Sequence, residues 1–185
     1  MSLRLILGPM FAGKSSHALT LIRRYKEIDY TILSITSALD TRYSSDEIHT
    51  HNHEVYPALS LTSLMPVTSS LNYALSKVII IEEAQFFPDL VAFVLRAVEV
   101  DKKEVIVVGL DGDAERKPFG QILELIPFCD EVTKMSAFCK MCGNGTNAIF
   151  THRKIPSPDT ILIGDSDQYE ALCRRHYNTV TSSTC

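Results

Sequence analysis

The fold is decided by Gly8-Pro9-Met10-Phe11-Ala12-Gly13-Lys14-Ser15, which matches the phosphate-binding pattern G-x-x-x-x-G-K-[ST] at every fixed position. An apolar run at residues 3–7 precedes it, and a segment with helical spacing and no Pro or Gly follows at residues 16–25. A strand, a glycine-bearing turn and a helix start together predict a loop whose free N–H groups bind phosphate. Lys14 then reaches the outer phosphates, and the Ser15 hydroxyl is a ligand for Mg²⁺.

The composition is that of an ordinary globular protein. The chain has 185 residues, of which 45% are hydrophobic and 22% charged, with a net charge of −4. This predicts one domain with a small appendage, no nucleic-acid partner, and no membrane partner, since no apolar run approaches the ~20 residues of a membrane span. The phosphate loop begins so early that we expect no signal peptide, and we therefore expect a cytoplasmic location. Five cysteines then indicate metal ligation or buried thiols before disulfides.

A second anchor lies at residues 77–83, where a β-branched run ends in Glu82 and Glu83. Such a run is typical of a buried parallel strand. Adjacent side chains on a strand point to opposite sides, so one carboxylate can reach the Mg²⁺ and the other the substrate.

The remaining pattern favours an α/β fold. Further strands are predicted at residues 30–36, 104–110 and 131–135, and a buried helix at 90–98 begins after Asp89, a good N-cap residue. We therefore expect a RecA-like P-loop domain over residues 1–135, with a parallel sheet and helices on both faces.

Two ligand pairs predict a structural zinc site. Cys139 and Cys142 are separated by two residues, as are Cys173 and His176, and together they supply a tetrahedral Cys₃His set. With all four positions filled by protein, the metal has no open site for catalysis. We expect a zinc-ribbon-like subdomain over residues 136–185, with strands at 148–151 and 160–164 and a loop between the ligand pairs that closes over a substrate. Cys129 and Cys185 fall outside the pattern.

Two weaker signals stay open. Arg42 follows the second strand, where it can contact a phosphate or lie in a solvated loop. His49, His51 and His53 alternate and so share a face on a strand, but no cysteine or carboxylate cluster completes a metal site beside them.

Strand-end carboxylates beside a phosphate loop indicate NTP–Mg²⁺ chemistry. The chain is too short and acidic for a helicase, and the Asn-Lys-x-Asp motif of GTPases is not found in it. A small-molecule kinase remains, in which one carboxylate takes the proton of a hydroxyl nucleophile.

At this point the sequence resembles the cytosolic (type II) thymidine kinases. The resemblance covers residues 3 to about 177 in family order, and besides the phosphate loop and zinc ligands it rests on residues 40–45, 83–89, 110–112 and 116–120. It implies phosphorylation of the 5′-hydroxyl of thymidine, and also of deoxyuridine, by ATP, with Mg²⁺ and one structural Zn²⁺ per chain. It also implies a homotetramer and feedback inhibition by dTTP.

The resemblance implies roles for single residues as well. Glu83 falls on the general base, Glu82 on a Mg²⁺-linked acid that is usually Asp, and Arg42 near the transferred phosphoryl group. The implied substrate-binding residues are Met10, Asp40, Gln85, Phe86, Leu110, Phe119, Thr151, Thr160, Ile161, Leu162, Ile163, Gly164 and Tyr169.

Two departures from the family pattern bear on selectivity. Ala114 stands where an aromatic residue is common, and Asp165 stands where a Gly usually follows Gly164. A kinase for another deoxynucleoside is therefore an alternative. A zinc-ribbon nucleic-acid-binding ATPase is another, although the acidic balance and the absence of Trp speak against it.

Overall fold

A computed structural model describes residues 1–40, 47–49, 55–155, 164 and 166–182. Its main feature is a six-stranded sheet. The strands are β1 (Ser2–Leu7), β2 (Ile32–Ser37), β5 (Leu59–Leu61), β6 (Val78–Ile81), β7 (Glu104–Gly109) and β8 (Glu131–Lys134). A short hairpin of β3 (Glu47–His49) and β4 (Val55–Pro57) lies between β2 and β5 in the chain.

The sheet order is β5-β2-β6-β7-β1-β8, and every neighbouring pair is parallel. Leu7 pairs with Gly109, and Ile81 pairs with Val107. The phosphate loop, the two carboxylates and Leu110 therefore follow the carboxyl ends of three adjacent strands, the edge where open α/β sheets bind ligands.

Helices cover both faces of the sheet, as expected for the α/β fold. On one face, α1 (Lys14–Lys26) packs Ala18, Leu19 and Ile22 against β1, β6 and β7. On the other, α3 (Leu90–Leu95) continues as a π-helical turn (Arg96–Val100), and its Phe93 and Val94 join the larger core cluster. The central strands β6 and β7 are almost fully buried, which explains their β-branched composition.

The C-terminal part contains two antiparallel strand pairs and a helix. β9 (Ala137–Phe138) pairs with β10 (Asn147–Ala148), and β11 (Phe150–Arg153) pairs with β12 (Tyr169–Leu172) before α4 (Arg174–Ser182). Their small core includes Ala12 of the phosphate loop. The division at residues 135 and 136 stays a prediction.

Between β5 and β6 the chain forms a 3₁₀ helix (Met65–Ser69), followed by the short helix α2 (Leu71–Leu75). Asp89 stands at the N-cap of α3, but its carboxylate accepts the N–H groups of Leu64 and Met65 instead. In the part of the chain that is described, no helix is long and apolar enough to cross a membrane.

Candidate active site and metal centre

The phosphate loop has the backbone shape that its glycines allow. Gly8 has φ +147° and Gly13 has φ +78°, and α1 begins at Lys14. A Cβ on Gly8 would stand 2.5 Å from the carbonyl oxygen of Met135, so the close approach of the two segments requires glycine. The Lys14 ammonium donates to the carbonyl of Pro9 at 2.8 Å, which places its charge over the loop.

A hydrogen bond joins the loop to the C-terminal part. The backbone N–H of Met10 donates to Oγ1 of Thr151 at 3.0 Å, and Thr151 is 5% exposed. This contact brings two of the predicted substrate-binding residues together, although they are far apart in the chain.

Glu82 lies at the end of β6 and is 3% exposed. Burial and the neighbouring Glu83 carboxylate together raise the pKa of its carboxyl to about 8, although Lys14 and hydrogen bonds with the Glu83 backbone and the Ser15 side chain lower it. Its Oε1 is buried, and no described residue hydrogen-bonds to it. A buried carboxylate oxygen beside the Ser15 hydroxyl fits Mg²⁺, which prefers oxygen ligands and would supply the missing positive charge.

Glu83, the residue after Glu82, has a strained backbone conformation. Its φ of 50° and ψ of 40° lie in the left-handed region, which is uncommon for a residue with a Cβ and costs on the order of 1 kcal/mol or more. The turn starts the 3₁₀ helix Ala84–Phe86, so Glu82 and Glu83 both follow the end of β6 and do not lie on the strand, where the sequence predicts them. The Nε2 group of Gln85 donates to Oε2 of Glu83 at 2.6 Å.

Beyond Gln85, two aromatic rings stand at the same edge. Phe86 and Phe119 meet edge to face, with ring centroids 5.5 Å apart and planes at 87°. Both are partly exposed, so their rings can contact a planar ligand as well as each other.

The polar loop between Leu110 and Phe119 is ordered by its own hydrogen bonds. The Asp113 carboxylate accepts the N–H groups of Glu115 and Lys117, and Asp111 pairs with Lys134 at 2.7 Å. The Arg116 guanidinium lies 4.5 Å from the ring centroid of Tyr177 and also bonds Asn178. Helix α4 therefore restrains this loop through its contacts with Arg116.

The four predicted zinc ligands converge. Their ligand atoms all lie within 4.8 Å of one another. The Cys142 and Cys173 sulfurs are 3.8 Å apart, and Nδ1 of His176 lies 3.3–3.6 Å from the three sulfurs. Tetrahedral Zn²⁺, with bonds of about 2.0–2.3 Å, would give ligand separations of roughly 3.5–3.8 Å. The cluster therefore fits zinc, with His176 ligating through Nδ1.

Within this cluster, the environment of Cys139 favours the thiolate form of that residue. Desolvation by burial acts to raise the pKa of Cys139, but hydrogen bonds from the Cys173 and Cys142 backbone and from His176 outweigh it and lower the pKa to about 6. A metal ligand must be deprotonated, so these donors prepare Cys139 for zinc.

Not every predicted residue can be placed. Arg42, Thr160, Ile161, Leu162, Ile163 and Asp165 lie outside the described residues, as do His51, His53 and Cys185. Asp40 follows β2 at the ligand edge, and Tyr169 begins β12, 7% exposed. Sequence reasoning missed Met135 beneath Gly8 and Tyr177 beside Arg116. For Tyr177 the only signal was its position directly after a zinc ligand.

Comparisons with known proteins identify the family of this chain. The model of a family described as thymidine kinase matches residues 1–177. Thymidine kinase a of Arabidopsis thaliana is 41% identical over 181 residues, covering 96% of this chain and 75% of the relative. The thymidine kinase of Myxoma virus (strain Uriarra) is 39% identical over 175 residues, covering 95% of each. Among solved structures, the flagellar accessory protein FlaH of Methanocaldococcus jannaschii is 15% identical, with a TM-score of 0.48 over 85% of this chain and 74% of that one.

Proposed function

Because the chain belongs to the thymidine kinase family, we propose that Glu83 is the general base of its phosphoryl transfer from ATP to thymidine. The reaction itself follows from the family: this protein is an ATP-dependent thymidine kinase. The observation that supports the role of Glu83 is its place in a strained turn at the ligand edge of the sheet, directly after the buried Glu82.

In the proposed mechanism the 5′-oxygen of thymidine forms a bond to the γ-phosphorus of ATP. The bond from that phosphorus to the β,γ-bridging oxygen breaks, and ADP leaves with the electron pair. The proton of the 5′-hydroxyl passes to the carboxylate of Glu83. Since the attacking group is a hydroxyl, a base within hydrogen-bond reach assists its attack.

The phosphate loop binds ATP in this proposal. The N–H groups at the start of α1 and the Lys14 ammonium hold the phosphates, with Pro9, Met10, Phe11 and Ala12 shaping the loop between Gly8 and Gly13. Ser15 and Glu82 would hold Mg²⁺, which when bound neutralises charge on the β- and γ-phosphates. Arg42 is proposed to lie near the transferred phosphoryl group.

We propose that thymidine lies between the phosphate loop and the C-terminal part. Phe86 and Phe119 offer aromatic surface to the base, and Leu110 and Tyr169 enclose it. Thr151, in strand β11, and the segment 160–164 are proposed to cover it, and Asp40 is proposed to lie near the sugar. The contact between Met10 and Thr151 supports this arrangement, since it brings the phosphate loop against the covering strand.

Zinc at Cys139, Cys142, Cys173 and His176 is proposed to be structural, because all four positions of a tetrahedron are taken by protein. We also propose a homotetramer, inhibition by dTTP and a cytoplasmic location, in keeping with reduced thiols at a metal site.

A phosphoryl-transfer assay with thymidine, deoxyuridine, deoxycytidine and purine deoxynucleosides tests the substrate assignment. We expect thymidine and deoxyuridine to be phosphorylated with far higher kcat/KM than the others. A preference for deoxycytidine or a purine would overturn it. DNA-stimulated ATP hydrolysis with no nucleoside product would overturn kinase function altogether.

A further inference from the structure

Gln85 lies between the proposed base and the substrate edge. Its side-chain amide is engaged at both ends: Nε2 donates to Oε2 of Glu83 at 2.6 Å, and Oε1 accepts the backbone N–H of Leu110 at 3.0 Å. The residue is 4% exposed. We propose that Gln85 is a positioning residue, which holds the carboxylate of Glu83 at a fixed place relative to Leu110, where the loop after β7 begins. The proposal rests on the role of Glu83 as base.

The chemistry of its partners fixes the orientation of the amide. The Leu110 N–H can only donate, and an ionised carboxylate can only accept. The carbonyl end of Gln85 must therefore face Leu110, and the NH₂ end must face Glu83. A rotated amide would set donor against donor and acceptor against acceptor in a buried site, where unmade hydrogen bonds are costly.

Two glycines leave the room that Gln85 occupies. A Cβ on Gly109 would overlap Oε1 of Gln85, and a Cβ on Gly120 would overlap its carbonyl oxygen. Gly120 also has a φ of +60°, whereas Gly109 lies in strand β7 with no such requirement. The need for glycine at position 109 is therefore explained by the Gln85 amide together with the atoms packed beside it.

This arrangement has a kinetic consequence. A bond to Oε2 limits rotation of the Glu83 carboxylate about its last side-chain bond, so less freedom is lost when it receives the proton of the substrate hydroxyl. Loss of the bond should therefore reduce the rate of the chemical step and leave substrate binding nearly unchanged. A direct contact between Gln85 and thymidine, which the sequence resemblance implies, would instead act mainly on KM for thymidine.

The experiment compares Gln85→Met with Gln121→Met in the full chain. Methionine keeps the length of the side chain without its hydrogen bonds. Gln121 is a matched control, because its Oε1 also accepts a backbone N–H, that of Val91 at 3.1 Å. We expect Gln85→Met to lower kcat about tenfold, with KM for thymidine and ATP within about twofold, and Gln121→Met to leave kcat within about twofold. An unchanged kcat, or a rise in KM for thymidine alone, would overturn the proposal.

A double-mutant cycle with Glu83→Gln separates this proposal from the one on which it rests. If Gln85 acts through Glu83, Gln85→Met should lower the residual kcat of Glu83→Gln by less than about twofold. An additive tenfold loss would overturn the positioning role and leave the base assignment intact. Near-normal kcat in Glu83→Gln alone would overturn the base assignment.

Gly109→Ala gives an independent test should Gln85→Met fold poorly, as its melting temperature would reveal. The added methyl group displaces the amide while Gln85 itself remains. We expect the same fall in kcat with unchanged KM for thymidine. A folded Gly109→Ala variant with normal kcat would contradict the proposal.

Discussion

The hydroxyl of Tyr177 donates a hydrogen bond of 2.5 Å to the carbonyl oxygen of Ala114. This bond joins the helix that carries zinc ligand His176 to the loop that follows strand β7. The ring of Tyr177 also stacks against the guanidinium of Arg116, in the same loop. Ala114 stands where the family commonly has an aromatic residue. Because Tyr177 bonds to its backbone carbonyl, this contact does not depend on which side chain stands at position 114.

Tyr177→Phe should loosen this loop without disturbing the fold, since the ring and its stacking on Arg116 remain. We expect KM for thymidine to rise a few-fold, in line with loss of about 1 kcal/mol of hydrogen bonding, and KM for ATP to stay constant. Steady-state kinetics with each substrate measures this. Tyr30→Phe is the control, because Tyr30 precedes strand β2 and so lies at the edge of the sheet opposite the ligand edge. It should change neither the KM for thymidine nor the KM for ATP.

Glu83→Gln should lower kcat by roughly 10² or more, because an amide cannot take the proton of the 5′-hydroxyl. ATP binding, measured by calorimetry with Mg²⁺ present, should be retained. A variant that lost ATP binding to the same extent as turnover would assign Glu83 to the nucleotide site instead.

Gly8→Ala should destabilise the protein by at least about 2 kcal/mol, because the new methyl group would meet the Met135 carbonyl. Urea denaturation measures the free energy of unfolding. Gly145→Ala is the control: Gly145 also has positive φ, +83°, but no atom of the described chain lies within 4 Å of its Cβ position. It should cost only about 1 kcal/mol, and equal losses in the two variants would contradict the steric account.

Folded protein should contain about one zinc per chain, and Cys142→Ser should lose it. We expect this variant to melt at a lower temperature and to bind thymidine more weakly, because α4 follows the metal ligands and holds the 111–118 loop. Cys129→Ser, which lies outside the cluster, should keep its zinc and activity. Metal analysis beside calorimetry checks both, and a zinc-free wild-type protein with full activity would refute the site.

Lys103→Met should reduce stability and leave the kinetics unchanged. Lys103 is 8% exposed, burial lowers the pKa of its ammonium, and it donates to the carbonyl oxygens of Tyr73 and Ser76 at 2.7 Å each. Its removal takes the ammonium donor from the Ser76 carbonyl, whereas the Tyr73 carbonyl still accepts from the hydroxyl and backbone N–H of Ser76, so we expect a cost of about 1–3 kcal/mol in the free energy of unfolding. The adjacent exposed Lys102 provides the control, as Lys102→Met should change stability by less than about 0.5 kcal/mol.

The buried parallel strands could be predicted from sequence because their composition is set by burial on both faces. The β-branched run at residues 78–81 and the run at 104–109 have observed bounds within about two residues of those expected. The convergence of the four predicted zinc ligands could also be predicted, since tetrahedral coordination imposes fixed spacings that survive a long intervening loop.

Interactions between segments distant in the chain could not be predicted. Asp is a residue type that commonly caps helices, yet the Asp89 carboxylate accepts the backbone N–H groups of Leu64 and Met65, 24–25 residues away in the chain. The strand expected at residues 148–151 is divided between β10 and β11, because its two halves pair with different partners. The role of Gln85 depends on Leu110 and Gly109, which no local pattern connects to it.

The strand pair β11–β12 has a consequence for engineering. Arg153 pairs with Tyr169, and Lys154 donates to the Gln168 carbonyl, so both ends of the segment at residues 154–168 are fixed by the scaffold. Closing a longer segment between fixed ends costs only about 0.6 kcal/mol per doubling of its length. Segments of other lengths can therefore be grafted between these two anchors at little cost in the free energy of folding.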